Sequence, residues 1–169
     1  MKYFTSYFLI VALCVTILIL PCNSFGFQNE PDSFRGIKWG TNINDISGMT
    51  CIECDDKYPE FYIRKDDKMR IGDAEIKNIS YGFYKDRFLS VIIKFEEHNN
   101  FKILESKILQ LFGKGNKPNP DIEQYYWRGR DVGIALEYGD IPNKGIIFYH
   151  YLPLHEELMK DSKEADDLY

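Results

Sequence analysis

The chain has 169 residues, a net charge of −5 and an aromatic content of 15%. This length suits one domain, and a hydrophobic content of 44% is enough for a packed core. The 26 acidic residues outnumber the 21 basic ones, which argues against a nucleic-acid-binding protein with a basic face.

The first 24 residues have the pattern of an export signal. Lys2 is the only charged side chain before Glu30, and residues 8–20 form an uncharged, largely apolar run. This run is shorter than the roughly 20 residues that cross a bilayer and matches the roughly 7–15 of a signal-peptide core. We therefore predict a signal peptide at 1–24 and a periplasmic or secreted protein with no integral membrane span. The alternative is an uncleaved signal that anchors the chain in the inner membrane.

The rest of the chain divides by composition into three parts. Residues 25–33 are mostly small or polar and predict a flexible lead. Residues 34–153 alternate between periodic segments and turns, which is typical of a single α+β domain. Residues 154–169 are rich in acids and predict an acidic tail that is frayed or disordered.

In the first half, one short helix and three strands are predicted. Thr41 is a favourable N-cap for a short helix that Gly48 would end. Lys85-Asp86 marks a tight hairpin turn. The predicted strands are 60–65, 74–84 and 89–95.

In the second half, the clearest helix of the chain is followed by three more strands. Apolar residues recur on one face of 100–112, and Gly113 would end that helix. The predicted strands are 123–127, 132–138 and 146–152.

These elements predict an α+β fold, with an antiparallel sheet of about six strands and two main helices on one face. Each half follows the order helix, strand, strand, strand. Tyr81-Gly82-Phe83 also matches Tyr125-Tyr126-Trp127 in its position before a turn and an alternating strand. One interpretation is an internal duplication, and the other is coincidence.

Cys51 and Cys54 form the most specific local motif. In an exported protein, such a pair favours a local disulfide or an inert thiol pair. A redox pair would need a helix N-terminus beside the first thiol, and a zinc site would need two further ligands. The acids at Asp55 and Asp56 and the proline at Pro59 fit a loop instead. The disulfide is our main interpretation, with redox and metal roles as alternatives.

The aromatic strands offer a second candidate site. Tyr125, Trp127, Tyr149 and Tyr151 are candidates for an aromatic face that binds a partner, and the alternative is that they fill the core. His150 and His155 lie at the end of the last strand, where ligands do not converge reliably on a metal. We predict no catalytic residue, no metal site and no cofactor.

The segment Phe34-Arg35-Gly36-Ile37-Lys38-Trp39-Gly40-Thr41 resembles the FxGIxWGT opening of an uncharacterised family of exported proteins from Gram-negative bacteria. The resemblance extends to Ile79-Ser80-Tyr81-Gly82-Phe83 and Leu111-Phe112-Gly113-Lys114-Gly115, and it implies no catalytic residues. The order of elements is more distantly similar to small periplasmic binding and inhibitor modules, at the level of the fold alone.

The sequence therefore favours an exported, non-enzymatic module that binds a protein or an envelope component. The alternative function is that of a thiol-disulfide redox protein using Cys51 and Cys54.

Overall fold

A computed structural model describes residues 27–54, 59–139 and 142–166 of the chain. The predicted signal peptide at 1–24 lies outside these described residues. Within them, no helix combines the length and the apolar character needed to cross a bilayer.

The described residues form eleven β-strands of two to ten residues, two α-helices and one 3-10 turn. The strands are β1 (Ser33–Phe34), β2 (Ile37–Lys38), β3 (Met49–Glu53), β4 (Glu60–Arg64), β5 (Arg70–Ile71), β6 (Ala74–Glu75), β7 (Asn78–Tyr84), β8 (Arg87–Glu96), β9 (Gln124–Arg128), β10 (Val132–Gly139) and β11 (Lys144–Tyr151). The helices are α1 (His98–Phe112) and α2 (Leu152–Asp166), and the 3-10 turn is Ile43–Asp45.

Seven strands form one sheet in the order β3-β4-β7-β8-β11-β10-β9, with every neighbouring pair antiparallel. The chain meanders from the β3 edge to β8 at the centre. Helix α1 then carries it to the far edge at β9, and β10 and β11 return to pair with β8. The predicted α+β class with an antiparallel sheet is thus confirmed.

The two faces of the sheet follow from the alternation of side chains along each strand. Val91, Ile93 and Phe95 of β8 are buried in the main core. Residues of the neighbouring strands whose side chains point to the same face of the sheet are buried there too. A register shift near Leu89 places one extra residue in β8, because Gly82 pairs with Ser90 while Phe83 pairs with Phe88. Phe88 therefore also faces the main core, while Leu89 faces the other side.

Helix α1 covers the main-core face. Its apolar stripe is buried and comprises Phe101, Leu104, Ile108 and Phe112. At its start, the Asn100 side chain donates to the Glu96 carbonyl (2.9 Å) and accepts from the Glu75 backbone N–H (3.0 Å). The helix predicted at 100–112 is present and begins two residues earlier.

The predicted acidic tail begins as helix α2. Leu152 and Leu154 are buried, and Leu154 packs with Tyr84 and Leu89 on the face opposite α1. The two helices therefore lie on different faces of the sheet. Apolar residues at helical spacing direct this acidic segment onto the sheet.

The helix predicted after Thr41 is much shorter than expected. Only Ile43–Asp45 is helical, as a 3-10 turn whose N-cap Asn42 accepts from the backbone N–H of Asn44 (2.9 Å). Ile46 already has extended backbone angles (φ −114°, ψ 117°), so the chain passes directly towards β3. The cysteine motif begins within β3, where the sequence indicated a loop.

The predicted flexible lead is held against the domain from Phe27 onward. The ring of Phe27 packs edge-on against Phe112, with the centroids 5.2 Å apart. The Glu30 carboxylate accepts the backbone N–H groups of Arg130 (3.0 Å), Asp131 (2.6 Å) and Val132 (2.6 Å). This carboxylate fixes the start of β10 to the N-terminal segment.

Replacing Glu30 with Ala is expected to lower the free energy of unfolding by about 1–3 kcal/mol, because three backbone donors lose a charged acceptor. Glu30→Gln keeps one acceptor oxygen, so its free energy of unfolding should fall by less. Urea unfolding followed by circular dichroism measures both changes. Equal stability of Glu30→Ala and the unmodified protein would contradict the role assigned to this carboxylate.

Candidate functional site

The four aromatic residues proposed from the sequence lie on the face that α1 covers. Trp127 has only 4% of its surface exposed, and its Nε1 donates to the Gly113 carbonyl (3.0 Å). Tyr125, Tyr149 and Tyr151 are half-buried and pack against the same core. The structure thus brings these residues together as part of the core, and Trp127 has almost no surface left for a partner.

Cys51 and Cys54 are joined as a disulfide, with their Cα atoms 6.1 Å apart. Both residues are exposed, and β3 is an edge strand of the seven-stranded sheet. Cys51 lies inside strand β3, whereas reactive redox cysteines typically lie at a helix N-terminus. Among the described residues, no group of three or more His, Cys, Asp or Glu side chains is placed to hold a metal ion.

The segment Phe34-Arg35-Gly36-Ile37-Lys38-Trp39-Gly40-Thr41 has structural roles. Arg35 forms an ion pair with Asp67 (2.9 Å) and donates to the Lys68 carbonyl (2.8 Å). Asp67 also accepts from the hydroxyl of the buried Tyr81 (2.6 Å). Burial and this hydrogen bond raise the pKa of Tyr81, which stays protonated as the donor.

The end of the same segment is fixed to the bulged end of β8. The indole of Trp39 stacks on Phe88 with centroids 4.8 Å apart. The Gly40 backbone N–H donates to the Phe88 carbonyl (2.9 Å), and the Phe88 N–H donates to the Thr41 carbonyl (2.9 Å). The residues of this segment therefore stabilise the fold.

The face opposite α1 carries a group of partly exposed apolar and aromatic side chains, which we call the open face. Their side chains point to the same face of the sheet as those of Ser80 and Ala135 and as one Cα hydrogen of Gly82. The open face comprises Phe61, Ile63, Ile92, Tyr126, Ile146 and Phe148. Of the described helices, α2 lies on this side, and it packs at the end of the face near Leu89.

Helix α2 is held there by a network of charged side chains. Nη2 of Arg87 donates to both carboxylate oxygens of Glu157 (2.8 Å to each), and Lys85 pairs with Asp161 (2.6 Å). The Tyr84 hydroxyl also donates to Asp161. Hydrogen bonding from Arg87 lowers the pKa of Glu157, and that from Lys85 lowers the pKa of Asp161.

A cleft of about 400 Å³ lies between α2 and the adjacent ends of β9 and β11. Three cations and one carboxylate contribute to its lining, although the whole chain is acidic. We call it the basic cleft, lined by Arg128, His150, Leu152, His155, Glu156, Met159, Lys160 and Lys163.

An apolar groove of about 190 Å³ adjoins the basic cleft on the open face. The two share His150 and His155, whose ring centroids are 5.2 Å apart. The apolar groove is lined by these two residues and by Pro59, Phe61, Leu89, Ser90, Ile92, Phe148 and Leu158.

His150 is the most unusual polar group of this region. Its ring stacks on Phe148 with centroids 5.1 Å apart, and Gly133 leaves room for it, because a Cβ there would overlap the ring. Its Nδ1 is buried without a hydrogen-bond partner in the described part of the chain. Burial, followed by His155 and Arg128, lowers the pKa of His150 to about 4.

The low pKa of His150 predicts a loss of stability in mild acid. The unfolded chain binds a proton near the ordinary value of 6.5, while the folded chain resists protonation down to about pH 4. Stability is thus fully present above pH 6.5 and falls as the pH falls from 6.5 to 4. His150→Gln should flatten the pH dependence of the urea midpoint in this window, whereas His155→Gln should flatten it only in part, because burial is the larger cause of the low pKa of His150. An unchanged slope in His150→Gln would contradict this prediction.

The sequence prediction missed the cations of the basic cleft. His155, Met159 and Lys163 are spaced four residues apart and so share one side of α2. That periodicity is a signal of a helix, whereas the acidic composition of the segment favours a tail. Arg128 belongs to a distant strand, and no spacing in the sequence relates it to α2.

Comparison with protein-family models, with curated proteins and with solved structures gives no match.

Proposed function

We propose that this chain is an exported, non-enzymatic binding module that holds an envelope component against the open face of its sheet. The observation that carries the proposal is the set of partly exposed apolar side chains on a sheet face that α2 covers only at one end. Exposed apolar patches rimmed by polar residues mark interaction sites.

The position of the surface within the sheet supports this function. Ile92 and Phe148 lie opposite each other on the central strands β8 and β11, where the backbone is rigidly paired on both sides. Rigid strands present a preformed surface, and this lowers the entropy that binding loses.

Two substitutions on the open face test the proposal. Ile92→Asp combined with Phe148→Asp should weaken binding of the purified protein to a detergent-solubilised envelope fraction at least tenfold, because each carboxylate would be desolvated in the complex. The matched control is Leu111→Asp, at a residue that is 49% exposed on α1. Unchanged binding of the double variant, with the fold intact by circular dichroism, would refute the function.

Thiol-disulfide exchange by Cys51 and Cys54 is the second candidate, favoured by the exposure of both residues. A structural disulfide should have a reduction potential below about −300 mV, and an exchange-active one should lie well above it. Equilibration with glutathione and thioredoxin buffers measures the potential. We expect the structural range, because Cys51 lies inside strand β3.

A further inference from the structure

We infer that the basic cleft and the apolar groove together bind one single-chain anionic amphiphile. Its carboxylate or phosphate lies in the cleft beside Arg128 and Lys163, and its hydrocarbon chain lies in the groove over Ile92 and Phe148. The inference rests on the proposed function and names the chemical class of the envelope component.

Charge complementarity indicates the headgroup. Among the residues that line the cleft, Arg128 and Lys163 carry positive charges beside the headgroup position, and Glu156 supplies the single carboxylate. Glu156 reaches Arg128 only at 3.9 Å, and the side chains of both are 74% exposed, so this pair is weak. An anionic group can therefore compete for the Arg128 guanidinium, which binds carboxylate and phosphate oxygens in a bidentate manner.

The continuity of the two cavities indicates the hydrocarbon chain. His150 and His155 belong to both linings, so a ligand passes from charged to apolar surroundings at these rings. Apart from Ser90 and the two histidines, the groove is lined by apolar residues. Few polar groups beside an apolar groove are usual in sites for small amphipathic ligands.

The backbone around the groove argues against an extended peptide as the occupant. Ile92 and Phe148 lie on strands that pair with a neighbour on each side, β8 with β7 and β11, and β11 with β8 and β10. Their N–H and carbonyl groups are used within the sheet, so a peptide cannot add as a strand there. A hydrocarbon chain needs no such hydrogen bonds.

Isothermal titration of the purified protein with four probes tests the inference. Dodecyl phosphate and dodecanoate should both bind, whereas inorganic phosphate and dodecanol should bind at least tenfold more weakly. Lengthening the alkyl chain should tighten binding by up to about fourfold per methylene until the groove is filled. A further probe, an acidic peptide without an alkyl chain, should not displace dodecyl phosphate.

Variants assign the two ends of the ligand. Arg128→Gln with Lys163→Gln should weaken dodecyl phosphate binding about tenfold at low salt and reduce its dependence on ionic strength. The matched control Lys144→Gln removes a charge roughly 20 Å away, at the far end of β11, and should have no effect. Ile92→Ser should remove most of the chain-length dependence, with Leu111→Ser as its control.

Equal affinities for inorganic phosphate and dodecyl phosphate would overturn the inference, as would displacement by the acidic peptide or the absence of any binding. If Ile92→Asp with Phe148→Asp still abolished binding of the envelope fraction in those cases, the proposed function would stand with a different ligand. If that double variant bound the envelope fraction normally, the proposed function itself would fail.

Discussion

Replacing Asp67 with Ala is expected to lower the free energy of unfolding by about 3–5 kcal/mol, because it breaks a buried ion pair. The Asp67 side chain is 5% exposed and binds both the Arg35 guanidinium (2.9 Å) and the Tyr81 hydroxyl (2.6 Å). The substitution leaves the hydroxyl of a fully buried tyrosine without its acceptor and removes the carboxylate that pairs with Arg35, whose remaining acceptor is the Lys68 carbonyl. Urea unfolding followed by circular dichroism measures the loss.

The neighbouring Asp66 provides the matched control, because it is exposed. Asp66→Ala should change stability by less than about 0.5 kcal/mol, as surface substitutions usually do. Asp67→Asn keeps an acceptor oxygen, so its stability should lie between that of Asp67→Ala and that of Asp66→Ala. If Asp67→Ala were as stable as Asp66→Ala, the opening segment would not hold the fold in the way described.

Replacing Trp127 with Ala is the second substitution with a large expected effect, about 3–5 kcal/mol. The indole is buried beneath α1 and donates to the carbonyl of Gly113 at the helix end. Removal of the ring therefore creates a cavity and also leaves a carbonyl without its donor. Trp127→Phe keeps most of the volume and should lose less, because mainly the hydrogen bond is removed.

The Trp127 substitution also tests whether this residue belongs to the core or to a binding surface. Ile122→Ala, at a nearby exposed position, should leave stability within about 0.5 kcal/mol. Thermal unfolding of the variants gives the comparison. A Trp127→Ala protein with full stability but weakened binding of the envelope fraction would contradict the core assignment and restore the sequence-based binding face.

The elements with the clearest periodicity were predictable from the sequence. Helix α1 has an apolar stripe and a glycine just beyond its end, and β10 alternates cleanly from Val132 to Tyr138. Both are present in the structure. The pattern of α1 is strong because the helix buries one side only, and that of β10 is strong because large and small residues alternate along it. The suggested duplication of the two halves stays a prediction.

Helix α2 was not predictable from composition, because its many charged residues resemble a disordered segment. Its position depends on contacts distant in sequence, chiefly Arg87 with Glu157 and Lys85 with Asp161. No local pattern encodes such pairs. Similarly, the bulge near Leu89 becomes visible only when β7 and β8 are paired.

The sequence also does not show which face of the sheet is open for binding. In β9, Tyr125 and Trp127 share one phase and Tyr126 has the other, and in β11 Phe148 and Tyr149 likewise alternate. Because aromatic side chains point to both faces of the sheet, the pattern alone does not show which face a helix covers. The position of α1 decides it, and the open face therefore carries Tyr126 and Phe148.

The most direct test of the central claim is site-specific photo-cross-linking from the open face. A photoreactive phenylalanine is placed at position 92, 148 or 111 and irradiated with the envelope fraction. We expect adducts at positions 92 and 148 and none at position 111 on α1, and excess dodecyl phosphate should suppress the adducts. Equal labelling at all three positions, or labelling at position 111 alone, would contradict the assignment of the open face as the binding surface.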